Sequence, residues 1–150
     1  MNNDDRFYMD VARVNSGHAR CQKKKLGTVL VCKDTNGIVV MVGGSNGAPS
    51  DLPACGMCQK DGSGEANAGR CPAVHAERAP LLEAAKRGVP TRDSILYCAF
   101  GIPCKNCLLE LKAAGVKEIV VERWTFYDDF SMELVALLRE RGMNIRTIEE

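Results

Sequence analysis

The first third of the chain changes from a helical pattern of apolar positions to a strand-like one. Apolar side chains recur at helical spacing over residues 5–18, which predicts an amphipathic helix. Two runs rich in β-branched residues follow at 26–33 and 37–44, and the turn sequence DTNG separates them. Such a pair of runs is typical of a β-hairpin.

Residues 45–74 have no periodic pattern and are rich in Gly, Pro, Ser and Asp. A stretch of this length without structure of its own is unusual inside a compact domain. Four of the eight cysteines lie in it or beside it. We therefore expect an irregular insert that is functional or held together by a metal.

The second half of the chain alternates helices and strands. The pattern predicts helices at 75–87, 103–115 and 131–141. It predicts strands at 94–100, 116–122 and 144–148. Pro80 falls in the first turns of the helix at 75–87, so this helix starts later or bends there. Helices alternating with strands after a hairpin predict one α/β domain over residues 1–150. Its layers would be α/β/α around a mixed five-stranded sheet.

Composition and charge exclude several classes of function. The chain is 45% hydrophobic and 26% charged, as is usual for soluble globular domains. A net charge of +1 provides no broad basic field for a long polyanion but leaves room for a partner with a few phosphates. No apolar run reaches the length of a membrane span, and the polar start MNNDDRFYMD has no hydrophobic secretion signal. We therefore expect a cytoplasmic location.

Eight cysteines in 150 residues need an explanation. In a secreted chain they would indicate disulfides, whereas an intracellular chain keeps its thiols reduced. The spacing C-x-x-C occurs twice, at Cys55 and Cys58 and again at Cys104 and Cys107, and a histidine lies nearby. These features favour zinc over disulfides.

The second pair of cysteines forms a candidate catalytic zinc site. Pro103 suits the first turn of a helix, which puts Cys104 and Cys107 on one helical face near the positive end of the helix dipole. C-x-x-C alone also fits a redox pair, but His75 would give zinc three ligands and leave a fourth position for water. Zinc lowers the pKa of bound water to about 7, and Glu77 supplies a carboxylate nearby if His75 stands at the helix start. A structural zinc site needs four ligands and has no use for this carboxylate.

H-x-E followed by P-C-x-x-C is the signature of zinc-dependent deaminases. The chain resembles the cytidine deaminase superfamily, most closely its deoxycytidylate (dCMP) deaminases, from about residue 7 to residue 148. CQKKKLGTVLV is similar to the family's Cys-x-Arg-x-x-Val-Gly-Ala-x-Ile-Val, and GGSNGAPSDLPAC to its Gly-Tyr-Asn-Gly-x-Pro-x-Gly with a following Cys. SILYCAFGIPC resembles the family's Leu-Tyr-Val-Thr strand that runs into Pro-Cys.

The resemblance implies a cytidine-deaminase-like fold and a mechanism. Zinc-bound hydroxide would attack C4 of cytosine, while Glu77 carries a proton to N3 and then protonates the departing amine. The reaction would convert dCMP to dUMP and ammonia. The resemblance also implies a homo-oligomer.

Substrate contacts follow from the same resemblance. Asn46 would hydrogen-bond the sugar or the base, and the backbone of Ala76 would help to recognise the amide edge of the base. Lys23 and Lys25, with Lys24 between them, are the nearest candidates for a phosphate, and a solvated basic face is the alternative for two of the three. Among the aromatic residues at 124–130, one could pack on a base, with core or subunit-interface packing as the alternative.

Members of the dCMP deaminase group often carry a second, structural zinc. The matching positions here are Cys21, Cys55 and Cys71, and Cys58 would complete a closed Cys₄ set. This site would staple the loop that carries Asn46. Unliganded thiols are the alternative.

Several positions depart from the family pattern. Ala79 stands where the family usually has Asn, Ser45 replaces Tyr, and Lys23 replaces Arg. These departures leave the chemistry in place but open the alternative of a modified cytosine nucleotide, a nucleoside or another amino-heterocycle. An inactive zinc-binding regulatory module is a further alternative, against which Glu77 argues. Editing of nucleic acid is disfavoured by a pI near 7.5 and by the lack of a basic tail.

Overall fold

The computed structural model describes residues 3–55, 58 and 70–150. Along the chain, its helices and strands are α1 (Asn3–Ser16), β1 (Gly27–Lys33), β2 (Val39–Ser45), α2 (Ala79–Arg87), β3 (Ile95–Cys98), α3 (Lys105–Ala113), β4 (Glu118–Val121), α4 (Asp129–Glu140) and β5 (Asn144–Thr147). None of the helices in these residues combines the length and apolar character needed to cross a membrane.

The five strands form one mixed sheet in the order β2-β1-β3-β4-β5. Strand β1 is antiparallel to both β2 and β3, whereas β4 is parallel to both β3 and β5. The parallel pairs β3–β4 and β4–β5, each connected through a helix, are what the alternation of helices and strands in the second half predicts. The mixed five-stranded α/β fold is therefore confirmed.

Both faces of the sheet are covered. Successive side chains of a strand point to opposite faces, so Val29 and Leu30 in β1 join different clusters of buried residues. Helix α1 covers the face of Val29 through Met9 and Ala12. Helices α2, α3 and α4 contribute buried side chains to the cluster on the other face, which gives the predicted α/β/α layers.

Helix boundaries differ from the sequence prediction at two functionally relevant places. Helix α2 begins at Ala79 rather than at residue 75, with Pro80 in its first turn. Helix α4 begins at Asp129 rather than at residue 131, because the Asp128 side chain accepts a hydrogen bond from the Ser131 amide at 2.7 Å and caps the helix.

The predicted insert at 45–74 is only partly described. Its first residues lie beside its last ones, since Gly47 and Val74 form an isolated antiparallel bridge. Residues 56, 57 and 59–69 lie outside the described residues.

Candidate active site and metal centre

Three of the predicted zinc ligands lie together. His75 Nδ1 is 3.6 Å from Cys104 Sγ and 3.5 Å from Cys107 Sγ, and all three ligand atoms lie within 4.8 Å of one another. With Zn–S near about 2.3 Å and Zn–N near about 2.0–2.1 Å, tetrahedral angles separate N and S by about 3.6 Å. The donor set and its spacing therefore fit a zinc ion.

Local backbone structure positions the three ligands. His75 lies in a turn just before α2, where its carbonyl oxygen accepts hydrogen bonds from the amides of Arg78 at 3.1 Å and Ala79 at 3.0 Å. Cys104 is the extended N-cap residue of α3, and Cys107 lies one turn later. Exposure falls from His75 to Cys104 to the buried Cys107, so the open side of the site faces the exposed histidine.

The pKa values of the Cys104 and Cys107 thiols are shifted in opposite directions. Hydrogen bonds from Cys107 and then from His75 lower the pKa of Cys104 to about 3. The same contact with Cys104, followed by burial, raises the pKa of Cys107. One thiolate is therefore available at neutral pH, and a cation at this place would favour the loss of the second proton.

Glu77 lies deep in the protein, at 2% exposure, on the wall of the cavity that also contains His75. Burial raises the pKa of its carboxyl group to about 7, against the opposing effects of a backbone hydrogen bond and of His75. Burial, and after it the negative charge of Glu77, raises the pKa of the Cys98 thiol. A carboxyl group in such a setting can hold or release a proton near neutral pH.

The cavity next to the metal ligands has a volume of about 240 Å³. Its lining residues are Cys21, Lys23, Lys24, Leu26, Asn46, Cys58, Cys71, Ala73, His75, Glu77 and Tyr127. Lys23 and Asn46, two of the predicted substrate contacts, thus line the same cavity as His75 and Glu77. So do Lys24 and Tyr127, the latter from the aromatic residues at 124–130.

Two other predicted substrate contacts, Ala76 and Lys25, have hydrogen-bond partners within the protein. Lys25 Nζ donates a hydrogen bond to the Ala19 carbonyl oxygen at 2.6 Å, and Lys25 is not among the lining residues of the cavity within the described chain. Ala76 is fully buried, and its carbonyl oxygen accepts a hydrogen bond from Thr28 Oγ1 at 2.7 Å. Spacing along the sequence did not indicate this role of Thr28.

Asn46 holds the segment that carries the lysines. Its Oδ1 accepts a hydrogen bond from the Leu26 amide at 2.8 Å, and its Nδ2 donates one to the Lys24 carbonyl oxygen at 3.0 Å. Asn46 is 7% exposed. Each side-chain group of an Asn can make a second hydrogen bond, so capacity for a ligand is left on the cavity side.

The four cysteines of the predicted second zinc site lie around one cavity. Cys21, Cys55, Cys58 and Cys71 all border one small cavity of about 20 Å³. In the described part of the chain, His75, Cys104 and Cys107 form the one group of three or more ligand side chains within mutual reach of a metal. The second site therefore stays a prediction.

Residues 2–123 match the family described as the cytidine and deoxycytidylate deaminase zinc-binding region. The chain belongs to this family. Residues His75, Glu77, Cys104 and Cys107 lie within the matched range, and the resemblance inferred from the motifs is confirmed.

Two curated members of the family illustrate the relationship. The deoxycytidylate deaminase of Saccharomyces cerevisiae is 29% identical over 147 residues, which are 95% of this chain and 44% of that protein. The deoxycytidylate deaminase of Mycobacterium phage D29 is 30% identical over 127 residues, which are 77% of this chain and 91% of that protein. The chain thus spans less than half the length of the yeast protein and most of the length of the phage protein.

A solved structure has the same fold. The dCMP deaminase of cyanophage S-TIM5, in complex with dCMP and dUMP, matches with a TM-score of 0.73 at 24% identity over 98% of both chains. At this identity the likeness supports the deaminase fold of the chain.

Proposed function

We propose that the chain catalyses the hydrolytic deamination of a cytosine mononucleotide, with dCMP as substrate and dUMP and ammonia as products. One observation carries the proposal. His75, Cys104 and Cys107 have the spacing of three zinc ligands beside the buried carboxyl group of Glu77, in a chain of the cytidine and deoxycytidylate deaminase family. A zinc ion at these ligands would supply a Lewis acid that activates water near neutral pH.

Glu77 is our candidate for the proton transfers. Addition of water at C4 needs a proton at N3, and loss of the amine as ammonia needs a proton on the departing nitrogen. A single carboxyl group can serve both steps if it passes one water proton to N3 and then passes the proton of the new C4 hydroxyl to the amine, as the C4–N bond breaks and the carbonyl forms. Its 2% exposure supports this role, because bulk water has little access to the transferred proton.

The substrate contacts are assigned to Asn46 and two lysines of the cavity wall and to the backbone of Ala76, which lies between the wall residues His75 and Glu77. Asn46 would bind the sugar or the base through the hydrogen-bonding capacity left by its contacts with Leu26 and Lys24. Because Thr28 uses the carbonyl oxygen of Ala76, the contact proposed for Ala76 falls to its amide N–H. The phosphate would lie near Lys23 and Lys24. Lys25 would act indirectly, by holding the same segment through Ala19.

Two departures from the family pattern carry little weight against dCMP. Ser45 and Ala79 border a separate depression together with Asn15 and Glu83. Neither is among the described residues that line the cavity containing Glu77. Their identities therefore give no support to a modified base or another amino-heterocycle as the substrate.

The experiment is ammonia release from dCMP by the zinc-loaded protein, with Glu77→Gln as the test variant. Glu83→Gln is the matched control, because Glu83 lies on the exposed side of α2 and pairs with Arg87 at 2.7 Å. We expect turnover by the native protein and by the control, and a loss of at least about a hundredfold in the test variant. Turnover of dCMP by Glu77→Gln at the native rate, or none by the native protein, would contradict the proposal.

We also infer a second, structural zinc ion at Cys21, Cys55, Cys58 and Cys71. The shared small cavity that they border supports this inference, and four thiolates would close a tetrahedral site. Metal analysis should give two zinc ions per native chain and one in Cys71→Ala. The buried core cysteine Cys32 supplies the control, since Cys32→Ala should keep both ions. One zinc ion in the native protein would exclude the second site.

Thiolate ligands need surroundings that keep them reduced, so we infer a cytoplasmic location. The homo-oligomer implied by the resemblance is a further proposal. Light scattering on the purified chain tests it, and a monomer at micromolar concentration would contradict it.

A further inference from the structure

The carbonyl oxygen of Ala76 lacks the hydrogen bond that a helix would normally give it. In an α-helix the amide of residue i donates to the carbonyl of residue i−4. The preceding bond of this ladder is made, because the Ala79 amide donates to the His75 oxygen at 3.0 Å. The next donor would be Pro80, which has no N–H. The helical hydrogen bond to the Ala76 oxygen is therefore missing, between the candidate metal ligand His75 and the carboxylate of Glu77.

Thr28 fills this gap from the neighbouring strand. Its hydroxyl oxygen lies 2.7 Å from the Ala76 oxygen, and both residues are 0% exposed. A buried carbonyl without a partner is costly, so the hydroxyl replaces the missing amide.

Gly44 allows this approach of the hairpin. It is the partner of Thr28 in the β1–β2 ladder. A Cβ atom at Gly44 would lie 2.5 Å from Pro80 Cδ, 2.6 Å from the Ala76 oxygen and closer still to Thr28 Oγ1. The three groups thus converge on a position where only glycine fits, and strand β2 packs directly on the turn.

We propose that Thr28 is a positioning residue for the metal centre, which fixes the turn from His75 to Glu77 by replacing the helix hydrogen bond that Pro80 cannot make. Ala76 lies between the first metal ligand and the carboxylate, so rotation of its peptide group moves both side chains. The consequence for proton transfer rests on the proposed function. The consequence for metal binding rests on the geometry of the ligands alone.

The test is a double-mutant cycle on the full-length chain. Thr28→Val removes the hydroxyl at constant size, and Thr28→Ser keeps it. Pro80→Ala restores an amide donor to the Ala76 oxygen, and Thr28→Val combined with Pro80→Ala asks whether that amide replaces the hydroxyl. Thr91→Val is the matched control. Thr91 Oγ1 also donates a hydrogen bond of 2.7 Å, but to the carbonyl oxygen of Ala114, which lies outside the site.

Zinc affinity, measured by competition with a chelator, is the main readout. We expect Thr28→Val to weaken zinc binding about tenfold, as is usual when groups that support metal ligands are lost. Thr28→Ser, Thr91→Val and the double variant should bind within about twofold of the native protein. The visible spectrum of the cobalt-substituted protein should change in Thr28→Val and return in the double variant. Turnover should fall in kcat with little change in KM.

Two results would overturn the inference. One is native zinc affinity and a native cobalt spectrum in Thr28→Val. The other is a double variant that binds zinc as weakly as Thr28→Val. If Thr28→Val does not fold, the double variant tests the same hydrogen bond, because its restored amide should recover both folding and zinc binding. A double variant that also fails to fold, while Pro80→Ala folds, would then overturn the inference. Zinc and cobalt binding need no turnover, so failure of the inference and failure of the proposed function are separate results.

Discussion

A buried carboxylate fastens helix α1 to the sheet, and its neutralisation should destabilise the fold. Asp5 is 5% exposed, and its two oxygens accept hydrogen bonds from Arg146 Nη2 at 3.1 and 3.0 Å. The hydroxyl of Tyr97 donates a third at 2.8 Å. Asp5→Asn keeps the size of the side chain but removes its charge. A hydrogen bond to a charged group contributes about 1.5–3 kcal/mol, against about 1 kcal/mol for a neutral one.

The expected loss is about 2 kcal/mol of unfolding free energy at pH 7, because Arg146 keeps its contact with Glu118 at 2.6 Å. For a chain of this length the melting temperature should fall by about 4–8 °C. The matched control is Asp10→Asn on the same helix, where the pair with Arg13 is exposed and its loss should cost less than about 0.5 kcal/mol.

This effect should depend on pH in a defined direction. Burial opposes ionisation of Asp5, but the hydrogen bonds from Arg146 and Tyr97 outweigh it and lower the pKa below its ordinary value. A lowered folded-state pKa contributes stability that is complete above the unfolded-state pKa of about 3.9 and is lost as the pH falls through the folded-state pKa. The gap between the native protein and Asp5→Asn should therefore be constant from about pH 7 to pH 5 and close below about pH 4.

Urea unfolding at several pH values measures this gap. Equal stability of Asp5→Asn and the native protein at pH 7 would refute the reasoning about the buried charge. A gap that persists unchanged at the lowest pH would refute the assignment of the lowered pKa to Asp5.

Three further predictions concern the site and helix α4. Gly44→Ala should lower the unfolding free energy in urea by about 1–3 kcal/mol, because its Cβ would overlap the Ala76 oxygen, and native stability would contradict this packing. Ser131→Ala should keep or raise the melting temperature, since Ser131 Oγ is buried without a hydrogen-bond partner in the described residues. Asp128→Ala should lower it, because the N-cap hydrogen bond to the Ser131 amide is lost. Removal of zinc by a chelator should lower the melting temperature, and calorimetry with and without added zinc measures the shift.

The sheet could be predicted from the sequence because its signals are local. Residues Ile119, Val120 and Val121 of β4 are all 0% exposed, as the continuous apolar run of a strand covered on both faces predicts. Helix boundaries were less predictable, because they depend on single capping contacts. Asp128 carried such a signal three residues before Ser131, and the start at Asp129 could have been inferred from it.

The candidate metal ligands could also be predicted, because HAE and PCKNC are short motifs with known chemistry. The lysines could not be ranked, because the segment between α1 and β1 has no period that fixes the direction of a side chain. In the structure the ammonium of Lys25 turns to Ala19, while Lys23 and Lys24 line the cavity. The partner of Thr28 is 48 residues away along the chain, so no spacing in the sequence indicated it.

The β1–β2 hairpin connects the two halves of the proposed site. Within β1, Thr28 holds the turn that carries the metal ligand and the carboxylate. Just after β2, Asn46 holds the backbone of Lys24 and Leu26, which line the same cavity as His75 and Glu77. Because Gly44 lies two residues before Asn46 and directly against the Ala76 oxygen, a shift of β2 should displace both the turn and the lysine segment. Changes in this hairpin should therefore affect metal binding and substrate binding jointly, whereas changes in α4 should affect stability alone.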